Sequence, residues 1–110
     1  MAEIIGSAKD VEDPTRDLML EADRFHGLGD YAQARPLYER VLEIREKALG
    51  PEHPGTAESL NNLAVLLQAQ GDFIGARPLF ERALPILQKA LGSDHPTTVN
   101  VRANLAALEN

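Results

Sequence analysis

The amino-acid sequence contains an internal repeat with a period of 42 residues, and this feature constrains the fold more than any other. Residues 29–50 read GDYAQARPLYERVLEIREKALG, and residues 71–92 read GDFIGARPLFERALPILQKALG. At this offset, 14 of the 22 aligned positions are identical. An apolar pattern that arose by chance would not also repeat the turn residues. The chain is therefore expected to fold as an array of similar units.

Each unit has the pattern of two helices joined by a Gly-Asp turn. In the first helix, apolar residues recur at spacings of three and four, at Leu60, Leu63, Ala64 and Leu67. This helix is expected to begin near Pro54, because proline suits the first helical position. It is expected to end at Gly71, which tolerates the left-handed conformation. Asp72 follows and can cap the next helix through its carboxylate.

The period divides the chain into four segments, and the predicted fold is all-α with about five helices. Residues 1–14 are predicted to be an acidic tail, either disordered or a loose extra helix, since residues 1–13 carry one Lys against four Asp or Glu, a net charge of −3. The first repeat is predicted over residues 15–53 and the second over residues 54–95. Residues 96–110 are predicted to form a half repeat that acts as a C-terminal capping helix.

Composition argues against several kinds of partner and location. The chain has no Cys, which excludes disulfides and thiolate metal ligands. A net charge of −6 and an aromatic content of 5% disfavour nucleic acid. No apolar run approaches the ~20 residues of a membrane span, and the N-terminus lacks the basic start of a signal peptide. We therefore expect no nucleic-acid or membrane partner, and we predict a cytoplasmic location.

No motif in the sequence predicts catalysis, a cofactor or a metal site. Phosphate-binding loops, His-Glu-x-x-His pairs, nucleophile elbows and calcium loops are all absent. His53 and His95 precede prolines in equivalent loops, but zinc needs further ligands around a shared ion. No other His or Cys is repeated beside them. We expect both histidines to stabilise their turns, and we predict that the protein is not an enzyme.

Several repeated motifs resemble tetratricopeptide repeats of the long, 42-residue variety found in kinesin light chains and many bacterial proteins. The motifs are LNNLA at 60–64, QGDF at 70–73, ARPLFERAL at 76–84, and LGxxHP at 49–54 and 91–96. The resemblance covers about residues 15–110. It implies antiparallel helix pairs stacked in a right-handed superhelix, with the first helices lining the concave face. Because such repeats serve many unrelated partners, it implies little about the partner.

The candidate contact residues are those on the side of the first helices away from the apolar stripe. In the three first helices they are Asp23, Glu58, Asn61, Asn62, Val65, Gln68, Asn100 and Asn104. Asn62 and Asn104 are equivalent, and Asn is an indifferent helix former at interior positions. The resemblance implies a role for them, because an Asn at this position commonly holds the ligand backbone. The two amides could instead bridge adjacent repeats or face water.

The charge of these positions favours neutral or basic ligands. Asp23 and Glu58 are acidic, although Arg16 and Arg102 lie near enough to offset them. A groove for a terminal carboxylate would need Lys or Arg at several of these positions, and most of that charge is missing.

Two functions of different kinds follow. The first is a non-catalytic protein–protein interaction module that binds a peptide segment of a partner in the concave groove. The alternative is a self-associating structural scaffold that forms a homodimer through its last helix. That helix has no following second helix to bury all of its apolar residues, which are Val99, Val101, Leu105, Ala106 and Leu108.

Overall fold

The computed structural model describes residues 14–108, which form helices and short turns without any strand. The helices are α1 (Arg16–Gly27), α2 (Tyr31–Leu49), α3 (Pro54–Ala69), α4 (Phe73–Leu91) and α5 (Pro96–Leu108). The predicted all-α repeat fold is confirmed. Apart from Pro14, the tail predicted over residues 1–14 lies outside the described residues, as do the last two residues of the chain.

The helices form two pairs and a single final helix. Each helix packs against the next one along the chain, and the turns between them hold only three or four residues. Connections this short make neighbouring helices antiparallel. As a result, α1, α3 and α5 occupy equivalent places in the array, and so do α2 and α4.

Helix α3 is the centre of the core, because it packs against both α2 and α4. Half of its 16 residues are buried. The buried set includes Leu66, which lies outside the apolar stripe that the sequence predicted. The prediction took α3 to have one apolar face, but a helix with neighbours on two sides buries a wider arc.

Side-chain caps set the starts of four helices. Asp30 Oδ1 accepts a hydrogen bond from the backbone N–H of Gln33 at 3.3 Å, and Asp72 Oδ1 accepts one from Gly75 at 2.9 Å. His53 Nδ1 accepts from the N–H of Gly55 at 2.9 Å, and an equivalent bond of 3.1 Å joins His95 Nδ1 to Thr97. The predicted turn-stabilising role of both histidines is confirmed.

Glycine occupies every position with a positive φ angle among the described residues. Gly71, with φ of +84°, lies between α3 and α4 as predicted. Helix α3 itself stops slightly earlier, at Ala69. None of the helices in the described range has both the length and the apolar character to span a membrane.

Candidate functional site

Polar side chains from α3 and α5 line a surface cleft of about 350 Å³ between these two helices. The lining residues are Glu58, Asn61 and Asn62 of α3 with Pro96, Thr97 and Asn100 of α5. Four of the eight predicted contact residues therefore lie around one cleft. Its volume is near the lower end of the ~300–1,000 Å³ that ligand pockets occupy, which suits a short peptide segment rather than a folded partner.

Local sequence explains why these side chains converge. Glu58, Asn61 and Asn62 are separated by three and four residues, so they lie on one face of α3. Asn100 is the residue 42 positions after Glu58 and occupies the equivalent place on α5. The cap that His95 provides to the N–H of Thr97 sets where α5 begins, and thereby where its first turn meets the cleft.

Asn61 carries an unsatisfied acceptor at this cleft. Its side-chain oxygen is buried and accepts no hydrogen bond, which is true of no other buried side-chain N or O atom in residues 14–108. A buried acceptor without a donor costs about 1–3 kcal/mol. Native proteins keep few such atoms. Because the oxygen is buried, a ligand in the cleft could donate to it only if the Asn61 amide turned towards the cleft.

The remaining predicted contact residues do not line this cleft. Val65 is half-buried and packs against the hydrophobic core, while Gln68 and Asn104 are half-buried farther along their helices. Asp23 lies on α1, where its Oδ1 accepts a hydrogen bond of 2.6 Å from the hydroxyl of Tyr38. Its carboxylate is therefore already engaged within the first repeat.

Tyr38 joins α1 to α2 through a polar network that the sequence analysis missed. The ring is buried, and its hydroxyl donates to Asp23 while lying 3.3 Å from Nδ1 of His26. Burial of the ring and the neighbouring Asp23 carboxylate raise the pKa of Tyr38 well above its usual value. The two copies of the repeat contain a sign of this contact. In the second copy, Phe stands at the position of Tyr38 and Val at the position of Asp23, so both polar partners are lost together.

The Tyr38 network predicts a shifted tyrosine titration. The chain has two tyrosines, so Tyr31→Phe leaves Tyr38 as the only phenol, and its absorbance should titrate above the ordinary value of about 10. Because the raised pKa belongs to the folded state, the stability from this site is complete below pH of about 10 and is lost as the pH rises further. Adding Asp23→Asn should lower the midpoint, and a midpoint near 10 with Asp23 intact would contradict the network.

A family model and two solved structures that match this chain all contain tetratricopeptide or TPR-like repeats. A family model described as tetratricopeptide repeat matches residues 22–89 and again residues 59–110. A solved structure from Podosopora anserina, described as a kinesin light chain with nearly identical TPR-like repeats, is 33% identical with a TM-score of 0.75. That match covers 89% of this chain and 47% of the other. A single-residue variant of that protein matches with the same coverage and TM-score at 32% identity.

The chain thus spans about half the length of these solved structures. No curated protein sequence gives a significant match.

Proposed function

The chain belongs to the tetratricopeptide repeat family, and we propose that it is an interaction module that binds a peptide segment of a partner protein in the cleft between α3 and α5. Repeats of this family generally mediate protein–protein interaction and are generally non-enzymatic scaffolds. The observation that supports the proposal is the meeting of Glu58, Asn61, Asn62 and Asn100 around one cleft.

The chemistry of the cleft suits the backbone of an extended peptide. Each Asn amide presents two donor hydrogens and one acceptor oxygen, which match the carbonyl and N–H groups of a peptide. The three amides come from two helices, Asn61 and Asn62 from α3 and Asn100 from α5, so they border an extended chain lying in the cleft from both sides. The unsatisfied oxygen of Asn61 would gain a donor in the complex.

Loss of two cleft amides is expected to weaken peptide binding. In the double variant Asn62→Ala/Asn100→Ala, two hydrogen bonds worth about 0.5–1.5 kcal/mol each are removed, so affinity should fall about 5- to 100-fold. Isothermal titration of peptides selected from a random heptapeptide display library measures this. The melting temperature should stay unchanged, because neither residue belongs to the buried core.

The exposed amide Gln88 on α4 supplies the matched control, and Gln88→Ala should leave affinity unchanged. A further variant, Asn104→Ala, tests whether the site extends along α5 as the sequence predicts. Unaltered affinity in the Asn62→Ala/Asn100→Ala variant would exclude the cleft as the peptide site.

Self-association through α5 is the second candidate function. Part of the apolar surface of α5 is covered within the chain, which leaves a smaller surface for a second copy. As expected, the apolar residues of α5 are not all buried: Val101 is fully buried and Leu105 and Leu108 pack against the core, but others stay exposed. Helix α4 supplies this cover. Val99 remains 43% exposed, and Ala106 is also exposed.

A homodimer formed through this surface should dissociate on dilution. Light scattering across a tenfold dilution should then show the mass falling towards the 12.0 kDa of one chain, and Val99→Glu should lower the mass at the highest concentration. A mass of one chain throughout the series would contradict self-association.

A further inference from the structure

We propose that the cleft between α3 and α5 selects a cationic side chain, arginine or lysine, in the bound peptide, and that Glu58 supplies the opposite charge. This inference rests on the proposed peptide-binding function and adds the chemical class of the ligand. It follows from the carboxylate of Glu58, which forms no ion pair within residues 14–108, the neutral character of the other lining residues, and the unsatisfied acceptor on Asn61.

Glu58 is the charged residue of the cleft, and no cation stands among the other residues that line it. The other lining residues are three asparagines, a threonine and a proline, all of them neutral. Ion pairs within the described residues join Arg35 to Glu39, Arg40 to Glu43 and Arg82 to Glu46. Glu58 takes part in none of these pairs, and its side chain is exposed to a ligand.

Arg45 and Arg102 are hydrogen-bonded to neutral groups and do not line the cleft. Arg102 donates to the backbone carbonyl of Ser93 at 2.6 Å, in the turn before α5. Arg45 donates to the carbonyl of Gly55 and to Ser59 Oγ, at 3.2 and 3.0 Å, and it lines a second pocket that Glu58 also borders. Within residues 14–108 neither arginine forms an ion pair with Glu58, and the residues that line the cleft carry one negative charge and no positive one.

The hydrogen-bonding groups of the cleft favour the same class of ligand. Glu58 and Asn61 are three residues apart on α3, so their side chains are neighbours. An ionised carboxylate only accepts hydrogen bonds, and the free atom of Asn61 is also an acceptor. A guanidinium carries five donors in a planar fork and no acceptor, so one arginine can serve both groups. An acidic peptide side chain would bring a like charge to Glu58 and no donor.

A selection experiment tests the inference with a matched control. A random heptapeptide library is selected in parallel against the unaltered protein, Glu58→Gln and Glu81→Gln, where Glu81 is an exposed glutamate of α4 outside the cleft. Arginine or lysine should be enriched among peptides bound by the unaltered protein and by Glu81→Gln, but not among those bound by Glu58→Gln. Replacing the enriched cation by glutamine should weaken binding about 1.5- to fivefold, and by less as salt is added.

The possible failures are distinguishable. Peptides that depend on Asn62 and Asn100 but show no enrichment of arginine or lysine would overturn the inference and leave the proposed function standing. The same holds if the enrichment persists in Glu58→Gln. A library that yields no peptide dependent on Asn62 and Asn100 would overturn both. Equal far-ultraviolet circular dichroism of the three proteins shows that the comparison is between folded chains.

Discussion

Replacing Phe80 by alanine is expected to lower the free energy of unfolding by about 3–5 kcal/mol. Phe80 is the largest of the fully buried side chains in residues 14–108, with an exposed fraction of 0%. Its removal loses the transfer free energy of the ring and leaves a cavity that the surrounding helices fill only in part. Urea unfolding followed by circular dichroism measures the effect.

Phe73 supplies the control for this substitution, because it lies on the same helix and is 52% exposed. Phe73→Ala should cost less than half as much. Since domains of this size are stable by only about 5–15 kcal/mol, Phe80→Leu is a milder second variant that should remain folded and lose about 1–1.5 kcal/mol. Equal losses for Phe80→Ala and Phe73→Ala would contradict the assignment of the core.

Alanine at two different glycines is expected to change stability in opposite directions. Gly71 has a φ of +84° in the turn between α3 and α4, and Gly71→Ala should cost about 1–2 kcal/mol, because a Cβ strains this conformation. Gly27 is the last residue of α1 and has a φ outside the positive range. Gly27→Ala should therefore stabilise the fold by about 0.4–1 kcal/mol, by restricting the unfolded chain.

Neighbouring atoms do not complicate this comparison. A Cβ added at either glycine meets no atom within 4 Å, so the difference reports the backbone conformation alone. Thermal unfolding of the two variants beside the unaltered protein provides the measurement. A neutral Gly71→Ala would show that the left-handed turn is not what terminates α3, and a destabilising Gly27→Ala would contradict the gain expected at the end of α1.

The sequence predicted the helices and their ends well, because the interactions that set them are local. The aspartates that cap α2 and α4 act on N–H groups three residues away, and the capping histidines act two residues away. The 42-residue period then required the same local structure twice. Because the turn residues repeat along with the apolar positions, the family resemblance follows from the sequence alone.

The sequence predicted the candidate site only in part. It placed Glu58, Asn61 and Asn62 on one face of α3, since that placement depends on helical spacing alone. It also proposed Asp23, Val65, Gln68 and Asn104 on the same grounds, although these residues do not line the cleft. Helical spacing cannot tell whether a side chain on the open face of a helix meets a neighbouring helix. Asp23 is an example, because its carboxylate on α1 is bound by the hydroxyl of Tyr38 on α2.

By itself, the sequence determined the helix pairs, their caps and the turns with left-handed glycines, because each depends on residues a few positions apart. Only the tertiary structure decided that Asn100 faces Asn61 and Asn62 across a cleft, and that Arg102 donates to the carbonyl of Ser93 in the turn before α5. The physical reason is that α3 and α5 are separated along the chain by the whole of α4. Their approach is set by how α4 packs against each of them, which no local pattern encodes.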